Sequence, residues 1–390
     1  MTEYYINLIL FKNDYTRVLE WWTQSARMSA HGQRCKLFLD EPSLREHNAV
    51  RRRRGGGGSS PLPAAILDVP ARVEGLLDAV HAMRRLGAVA SVDVARSASS
   101  RELLRHGACS ASYLAALRDA VQRAAAAESG WVVLDADQTS VATEFSLQWA
   151  LRSAGCAMTA ARAAWDTRAA SSPMRAFALS RPPGHHNGCT ERVESDWPID
   201  EGTRANHIWA CHGGCLLNNV ALAVHDVRDA GLRRCAIVDF DAHFGDGTLL
   251  HFRDDPGVFT LSVHENQSGM YPFFQGSAEE NSPTNVNLPL ATGSGDAAAL
   301  AALRSALGAL REFEPEMLFV ACGFDALAAD SSSTLCYTAE GYARLVSAII
   351  GALPDIPIAA VLEGGYVPAG VASAFEAVVR VLGSTAASGQ

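Results

Sequence analysis

The chain has 390 residues, a 48% apolar fraction and a formal net charge of −9. That length admits one large α/β domain or two smaller ones, and the acidic balance excludes broad binding to nucleic acid or to an anionic membrane surface. Nine cysteines with no Cys-x-x-Cys pair, and no secretory signal, point to free thiols inside the cell, cytoplasmic or nuclear, and no stretch approaches the roughly 20 apolar residues that span a bilayer.

Residues 1–34 carry the pairs Tyr4-Tyr5 and Trp21-Trp22 without a clean period and read as an N-terminal extension, either an added helix or a partner-binding arm. Residues 35–39 read as the first strand of a domain that runs over 35–390. Four arginines, four glycines and two serines make 51–60 a flexible, solvated loop. A helix is marked from Pro70, with Val73, Leu76, Leu77, Val80 and Met83 at helical spacing and Gly87 as its stop. Residues 112–127 and 146–165 read as alanine-rich helices. Strands are then expected at 176–179, 235–240, 258–263, 317–322 and 358–362, with helices at 216–230, 297–311, 339–353 and 371–382. Such alternation predicts one domain built on a mostly parallel sheet with helices on both faces.

In open parallel sheets ligands gather beyond the carboxyl ends of the strands. Four polar motifs fall there: Arg181-Pro182-Pro183-Gly184-His185-His186, the run from Asp239 through Asp241 and His243 to Asp246, Gly323-Phe324-Asp325, and Leu362-Glu363-Gly364-Gly365-Tyr366. If the chain stays extended past residue 238, Asp241 and His243 project to one face with Asp239 one step deeper, a pair suited to a divalent ion. Alone, an Asp-x-His is better read as a turn with a satisfied core histidine. Four motifs at equivalent ends of one sheet make a constellation of carboxylates, histidines and a phenol.

The ordered set resembles the zinc-dependent histone deacetylase and acetylpolyamine amidohydrolase superfamily, from residue 36 to the C-terminus. The resemblance implies the arginase-like α/β fold, a single domain around a sheet of about eight strands. It implies zinc held by Asp241, His243 and Asp325, with Asp239 orienting His185 and Asp246 orienting His186. Tyr366 then corresponds to the catalytic tyrosine, and the backbone around Asp239, Asp241 and His243, with Ser262 and Val263, to a structural potassium site. Gly213, Gly214, Tyr271, Ser332 and Asp137 are assigned to the substrate channel. The implied reaction removes an acetyl or related acyl group from lysine side chains of a protein such as a histone. His186 is the first choice to take the water proton and pass it to the leaving amine. His185 is largely electrostatic or shares the proton work, and Tyr366 donates to the developing oxyanion.

Several positions depart from the pattern. Phe244 stands where most relatives have a second histidine, Leu327 replaces another histidine, and Ser331-Ser332 replaces Pro-Leu at the rim. Gly214 stands where a phenylalanine usually forms one channel wall, and Tyr271 stands for the phenylalanine opposite, so the channel is either wider or rebuilt by the long insertion 187–212. That insertion carries Glu191, Glu194, Asp196, Asp200 and Glu201 beside Trp197 and reads as a rim or lid loop or as a solvated insertion. Cys189, His207, Cys211 and His212 are spaced too irregularly to read as a second metal site. Hydrolysis of an acetylpolyamine or another small acyl-amine is the alternative function. A binuclear ureohydrolase is disfavoured by Leu327, and a non-catalytic binding relative by the complete set of polar residues.

Overall fold

A computed structural model describes residues 35–384 apart from 48–61, 63–66, 69, 86–88, 90, 106–107, 136–137, 189–210, 267–270 and 273–274. The expected N-terminal extension, the 51–60 loop, Asp137, Cys189, His207 and the acidic part of the insertion lie outside the described residues.

Eight strands form one sheet, β1 (Lys36–Leu39), β2 (Ser91–Val94), β5 (Arg175–Leu179), β6 (Cys235–Asp239), β7 (Val258–Glu265), β8 (Asn285–Leu290), β9 (Met317–Cys322) and β10 (Ile358–Leu362), in the order β2-β1-β5-β10-β9-β6-β7-β8. Every neighbouring pair is parallel. A two-stranded antiparallel ribbon, β3 (Trp131–Val133) and β4 (Val141–Thr143), lies apart from it. The inner strands are short apolar runs buried along their whole length, as parallel strands covered on both faces must be. Their side chains alternate between two cores. Ala236, Val238, Leu318, Val320, Ala360 and Leu362 enter one, and Cys235, Ile237, Met317, Phe319, Ala359 and Val361 enter the other. The first core is closed by the helices Glu74–Arg85, Asp296–Glu312, Ala339–Ala352 and Pro368–Leu382, the second by Ala111–Ala126, Ser146–Trp165 and Asn219–Arg228. This is the single α/β domain with helices on both faces that the alternation predicts.

The strands that escape the sequence pattern are the two edges and the ribbon. β2 has four half-buried or exposed residues, and β8, Asn-Val-Asn-Leu-Pro-Leu, carries two asparagines and a proline, tolerable only at an edge. The helix expected over 216–230 starts later, at Asn219, because the Asn218 side chain caps it by accepting from the Ala221 amide. The turn from Pro70 is a 3-10 segment, Pro70–Val73, that runs into the α-helix Glu74–Arg85. The eight described cysteines are free thiols. Among the described residues no helix is long and apolar enough to cross a membrane.

Sheet order gives the motifs their meaning. The four motif-bearing strands β5, β10, β9 and β6 are consecutive neighbours in the sheet, so their carboxyl ends form one continuous ledge. Val361 pairs with Ala178, Leu362 with Cys322, and Asp239 with Ala321.

Candidate active site

β6 ends at Asp239, so the expectation that Asp241 and His243 lie on an extended strand is corrected. After Phe240 donates its amide to Ala321 the chain turns, because the Asp239 carboxylate accepts from the Asp241 amide at 2.9 Å and the Asp241 carboxylate from the His243 amide at 2.9 Å. The turn still brings the two side chains together, and Asp325, beyond β9, joins them. His243 Nδ1 lies 3.1 Å from Asp241 Oδ1 and 3.1 Å from Asp325 Oδ2. The other carboxylate oxygens are held by backbone amides, Asp241 Oδ2 by Gly364 and Asp325 Oδ1 by Ala242, each at 2.8 Å. Glycine is required around them. A Cβ on Gly323 would stand 2.0 Å from Asp241 Oδ2, and one on Gly364 would stand 2.3 Å from Asp325 Oδ2.

The donor set fits a cation. His243 Nε2 donates to the Ser332 carbonyl at 3.2 Å, which leaves Nδ1 of the neutral ring as a lone pair aimed at two carboxylates. A proton or a metal must sit between them. Burial works against the His243 cation, yet hydrogen bonds to Asp241 and Asp325 hold its pKa at about 10. Burial, followed by the Asp241 charge, pushes Asp325 up to about 6. One imidazole nitrogen and two carboxylate oxygens within 4.8 Å of one another are what a zinc ion with an open coordination position takes.

His185 and His186 stand beside this set on the stiff loop after β5. The loop is pinned by a residue to which the sequence reading gave no such role: Glu363 Oε2 accepts from the amides of Gly184 at 2.6 Å and His185 at 3.1 Å. His185 Nδ1 is 3.0 Å from Asp239 Oδ2, and His186 Nδ1 is 2.7 Å from Asp246 Oδ1. The two rings differ electrically. Burial opposes charge on His185, but the carboxylates of Asp241 and Asp239 hold its pKa well above the ordinary value. Burial, then the His185 charge, pushes His186 down to about 3, while His212 and His186 keep Asp246 ionised against its burial. His186 is therefore a neutral ring donating from Nδ1 to a carboxylate, with Nε2 left as an acceptor.

A cavity of about 420 Å³ opens onto these groups and brings His186, His243 and Tyr366 together with Gly213, Gly214, Tyr271 and Ser332. Asp137 lies outside the described residues. Leu67, Asp68 and Thr139 also line the cavity, and the sequence reading missed them. The Tyr366 amide donates to Asp330 Oδ2 at 2.6 Å, and the Arg72 guanidinium lies 5.1 Å over its ring. Ser332 donates its amide and hydroxyl to Asp330 Oδ1. Gly213 and Gly214 have φ of +60° and +76° and donate their amides to Thr139 and Ser140. A Cβ on Gly213 would stand 2.4 Å from His186, whereas one on Gly214 would meet nothing closer than 3.9 Å. A Cβ at Gly214 would thus not clash, but any side chain there would sit on a left-handed backbone. Ser262, on β7, pairs in register with Asp239 and precedes Val263, so the residues assigned to a potassium site are neighbours, and Ser262 Oγ is bonded to His264 Nδ1 at 2.8 Å.

Beneath the cavity lies a second group missed in the sequence. Asp68 is held by Arg72 at 3.1 Å and Arg181 at 2.8 Å, and Arg72 also donates to the carbonyls of Glu363 and Gly365. Burial resists ionisation of Asp68, but the two guanidiniums hold its pKa at about 2. The available signal was Arg72, two residues beyond the helix-starting Pro70, yet nothing in the local pattern marks an arginine as buried.

A family model described as the histone deacetylase domain matches residues 67–382. A rice protein named histone deacetylase 10, chloroplastic, is 32% identical over 271 residues, 66% of this chain and 55% of that protein, and an acetylpolyamine amidohydrolase of Burkholderia pseudomallei is 36% identical over 236 residues, 59% of this chain and 61% of that protein. A crystal structure of acetylpolyamine aminohydrolase from Burkholderia pseudomallei superposes with a TM-score of 0.71 at 26% identity, covering 89% of this chain and 98% of the other.

Proposed function

Because the chain belongs to the histone deacetylase family, we propose that it is a zinc-dependent amidohydrolase that removes an acetyl or related acyl group from lysine side chains. The observation that carries this reading is that His186, paired with the Asp246 carboxylate, lines the same cavity as Tyr366 and as His243 of the Asp241, His243 and Asp325 set.

Asp241 and Asp325 would hold zinc with His243 Nδ1, and zinc bound there supplies Lewis acidity to the amide carbonyl and lowers the pKa of water. His186 Nε2 accepts the proton of the attacking water and returns it to the leaving amine, with Asp246 fixing the tautomer. His185, held by Asp239 at 3.0 Å, is largely an electrostatic element beside the reacting carbonyl. Tyr366 donates its hydroxyl to the developing oxyanion, and burial keeps that phenol protonated by raising its pKa. Potassium bound by the backbone around Asp239, Asp241 and His243 with Ser262 and Val263 would brace the floor. The acidic chain acts inside the cell, cytoplasmic or nuclear, on a protein such as a histone, without contacting nucleic acid or membrane.

A small acyl-amine substrate is the second reading, favoured by the likeness to acetylpolyamine amidohydrolase. Among the described residues, the rim position Ser332 counts against it, since it supplies no carboxylate for a cationic chain, which leaves the acidic 187–212 insertion as the source of one. The test is a panel of acyl-lysine peptides and N-acetylated polyamines assayed with protein of measured zinc content. Turnover of the peptides at one zinc per chain is expected. A zinc-loaded protein inert toward the whole panel would make the chain a binding relative.

A further inference from the structure

None of these steps uses His212, yet it stands between Asp246, which they use, and Tyr271, which lines the cavity. Its Nε2 lies 2.9 Å from Asp246 Oδ2, the carboxylate oxygen that His186 leaves over, and its Nδ1 is hydrogen-bonded to the Tyr271 hydroxyl. The His212 ring sits 5.2 Å from the His186 ring and 5.4 Å from that of Tyr271, with its side chain 20% exposed at the mouth. An ionised carboxylate only accepts, so both histidines donate to Asp246. With the His212–Tyr271 hydrogen bond at the other nitrogen, Tyr271, His212, Asp246 and His186 form one continuous hydrogen-bonded chain.

The surroundings make this chain consequential. The cavity has no side chain at Gly213 or Gly214, so the wall there is backbone, and the Tyr271 ring meets the His186 ring at 5.2 Å and the His243 ring at 6.2 Å. A hydroxyl on that ring gives His212 a handle that phenylalanine would lack. His212 and the tyrosine at position 271 account for each other.

We propose that His212 is a positioning residue that holds the Tyr271 ring as a wall of the substrate channel with one nitrogen and the Asp246 carboxylate on His186 with the other. The inference rests on the proposed amidohydrolase reading. It predicts that substrate binding and proton transfer are separable at one side chain.

Two substitutions divide the arms. His212→Asn keeps an acceptor near Nδ1 for Tyr271 but falls short of Asp246. His212→Gln places an amide near Nε2 for Asp246 and gives up Tyr271. With an acyl-lysine peptide, His212→Asn is expected to lower kcat about five- to tenfold with KM within about twofold, the scale of one hydrogen bond on the base. His212→Gln and Tyr271→Phe are expected to raise KM about fivefold with kcat nearly kept. Losses in kcat and KM that are the same in all three variants, or no loss in any, would overturn the proposal.

A wild type without turnover would fail the amidohydrolase reading instead, so a second readout is independent of catalysis. In 15N-histidine spectra, Tyr271→Phe should shift the ring-nitrogen resonances of His212, assigned by their loss in His212→Asn. Unmoved resonances would overturn the contact. Zinc beyond one equivalent that is retained by the wild type and lost in His212→Asn would also overturn it, and would make His186, His212 and Asp246 a metal site.

Discussion

The floor of the site and its rim use glycine in opposite ways. At the floor, Gly323 and Gly364 are glycine because a carboxylate oxygen occupies the place of a Cβ, at 2.0 and 2.3 Å. At the rim, Gly214 is glycine because its backbone is left-handed, while a Cβ there would make only ordinary contacts, at 3.9 Å and beyond. The first is a steric condition imposed by the chemistry, the second a conformational one imposed by a turn. Substitutions on the ledge should therefore strike metal and rate, whereas substitutions around the mouth should strike KM and selectivity.

The largest effect is expected from Asp325→Asn, which exchanges a charged donor for a neutral amide. Zinc content should fall, and kcat should drop about 10³-fold or more, since a bound metal is worth several kcal/mol to the transition state. Full zinc and a normal rate would remove Asp325 from the metal set. Next comes Gly364→Ala, whose added methyl would stand 2.3 Å from Asp325 and 2.5 Å from Asp241. Reduced zinc content and a loss of about 10²-fold or more in kcat are expected, and an active, zinc-replete protein would erase the distinction between floor and rim. Tyr366→Phe should cost about 10²-fold in kcat with zinc retained, the value of one oxyanion donor.

The smallest effects belong to the mouth. Gly214→Asn should fold normally, because asparagine tolerates a left-handed backbone, and should change kcat little. Gly214→Phe should lose about 1–2 kcal/mol of stability to the same backbone. It should still lower KM for acetyl-lysine peptides and reduce turnover of bulky substrates by refilling the channel wall. An unchanged substrate profile in a folded Gly214→Phe protein would assign the shape of the channel to the 187–212 segment.

Legibility followed the same division. Buried parallel strands such as Cys235–Asp239 and Ile358–Leu362 write themselves into the sequence as short apolar runs, and polar motifs at their ends are visible because they interrupt those runs. The edge strand Asn285–Leu290 was missed because it has one covered face and a proline. Sheet order was invisible, since the neighbours β5 and β10 are far apart in the chain. Partnerships made by that order were equally hidden. Glu363 could be read only as part of a motif, although its carboxylate fastens the His185 loop, and Arg72 looked like an ordinary helix-start residue, although it reaches the carbonyls of Glu363 and Gly365. The irregular spacing around His212 carries no signal of its role, because its partners Asp246 and Tyr271 come together only in three dimensions.

The place of β10 has a consequence in time. It is made after every other strand of the sheet, yet it fills the gap between β5 and β9. Until it emerges, β2-β1-β5 and β9-β6-β7-β8 are two half-sheets, each with a bare parallel edge, and Arg72 lacks the carbonyls that anchor it. At about 5–20 residues per second the interval between Leu179 and Leu362 lasts roughly ten to forty seconds on the ribosome. During that interval the chain lacks the strand that joins its two half-sheets, and a product truncated before Ile358 is expected to leave them unjoined.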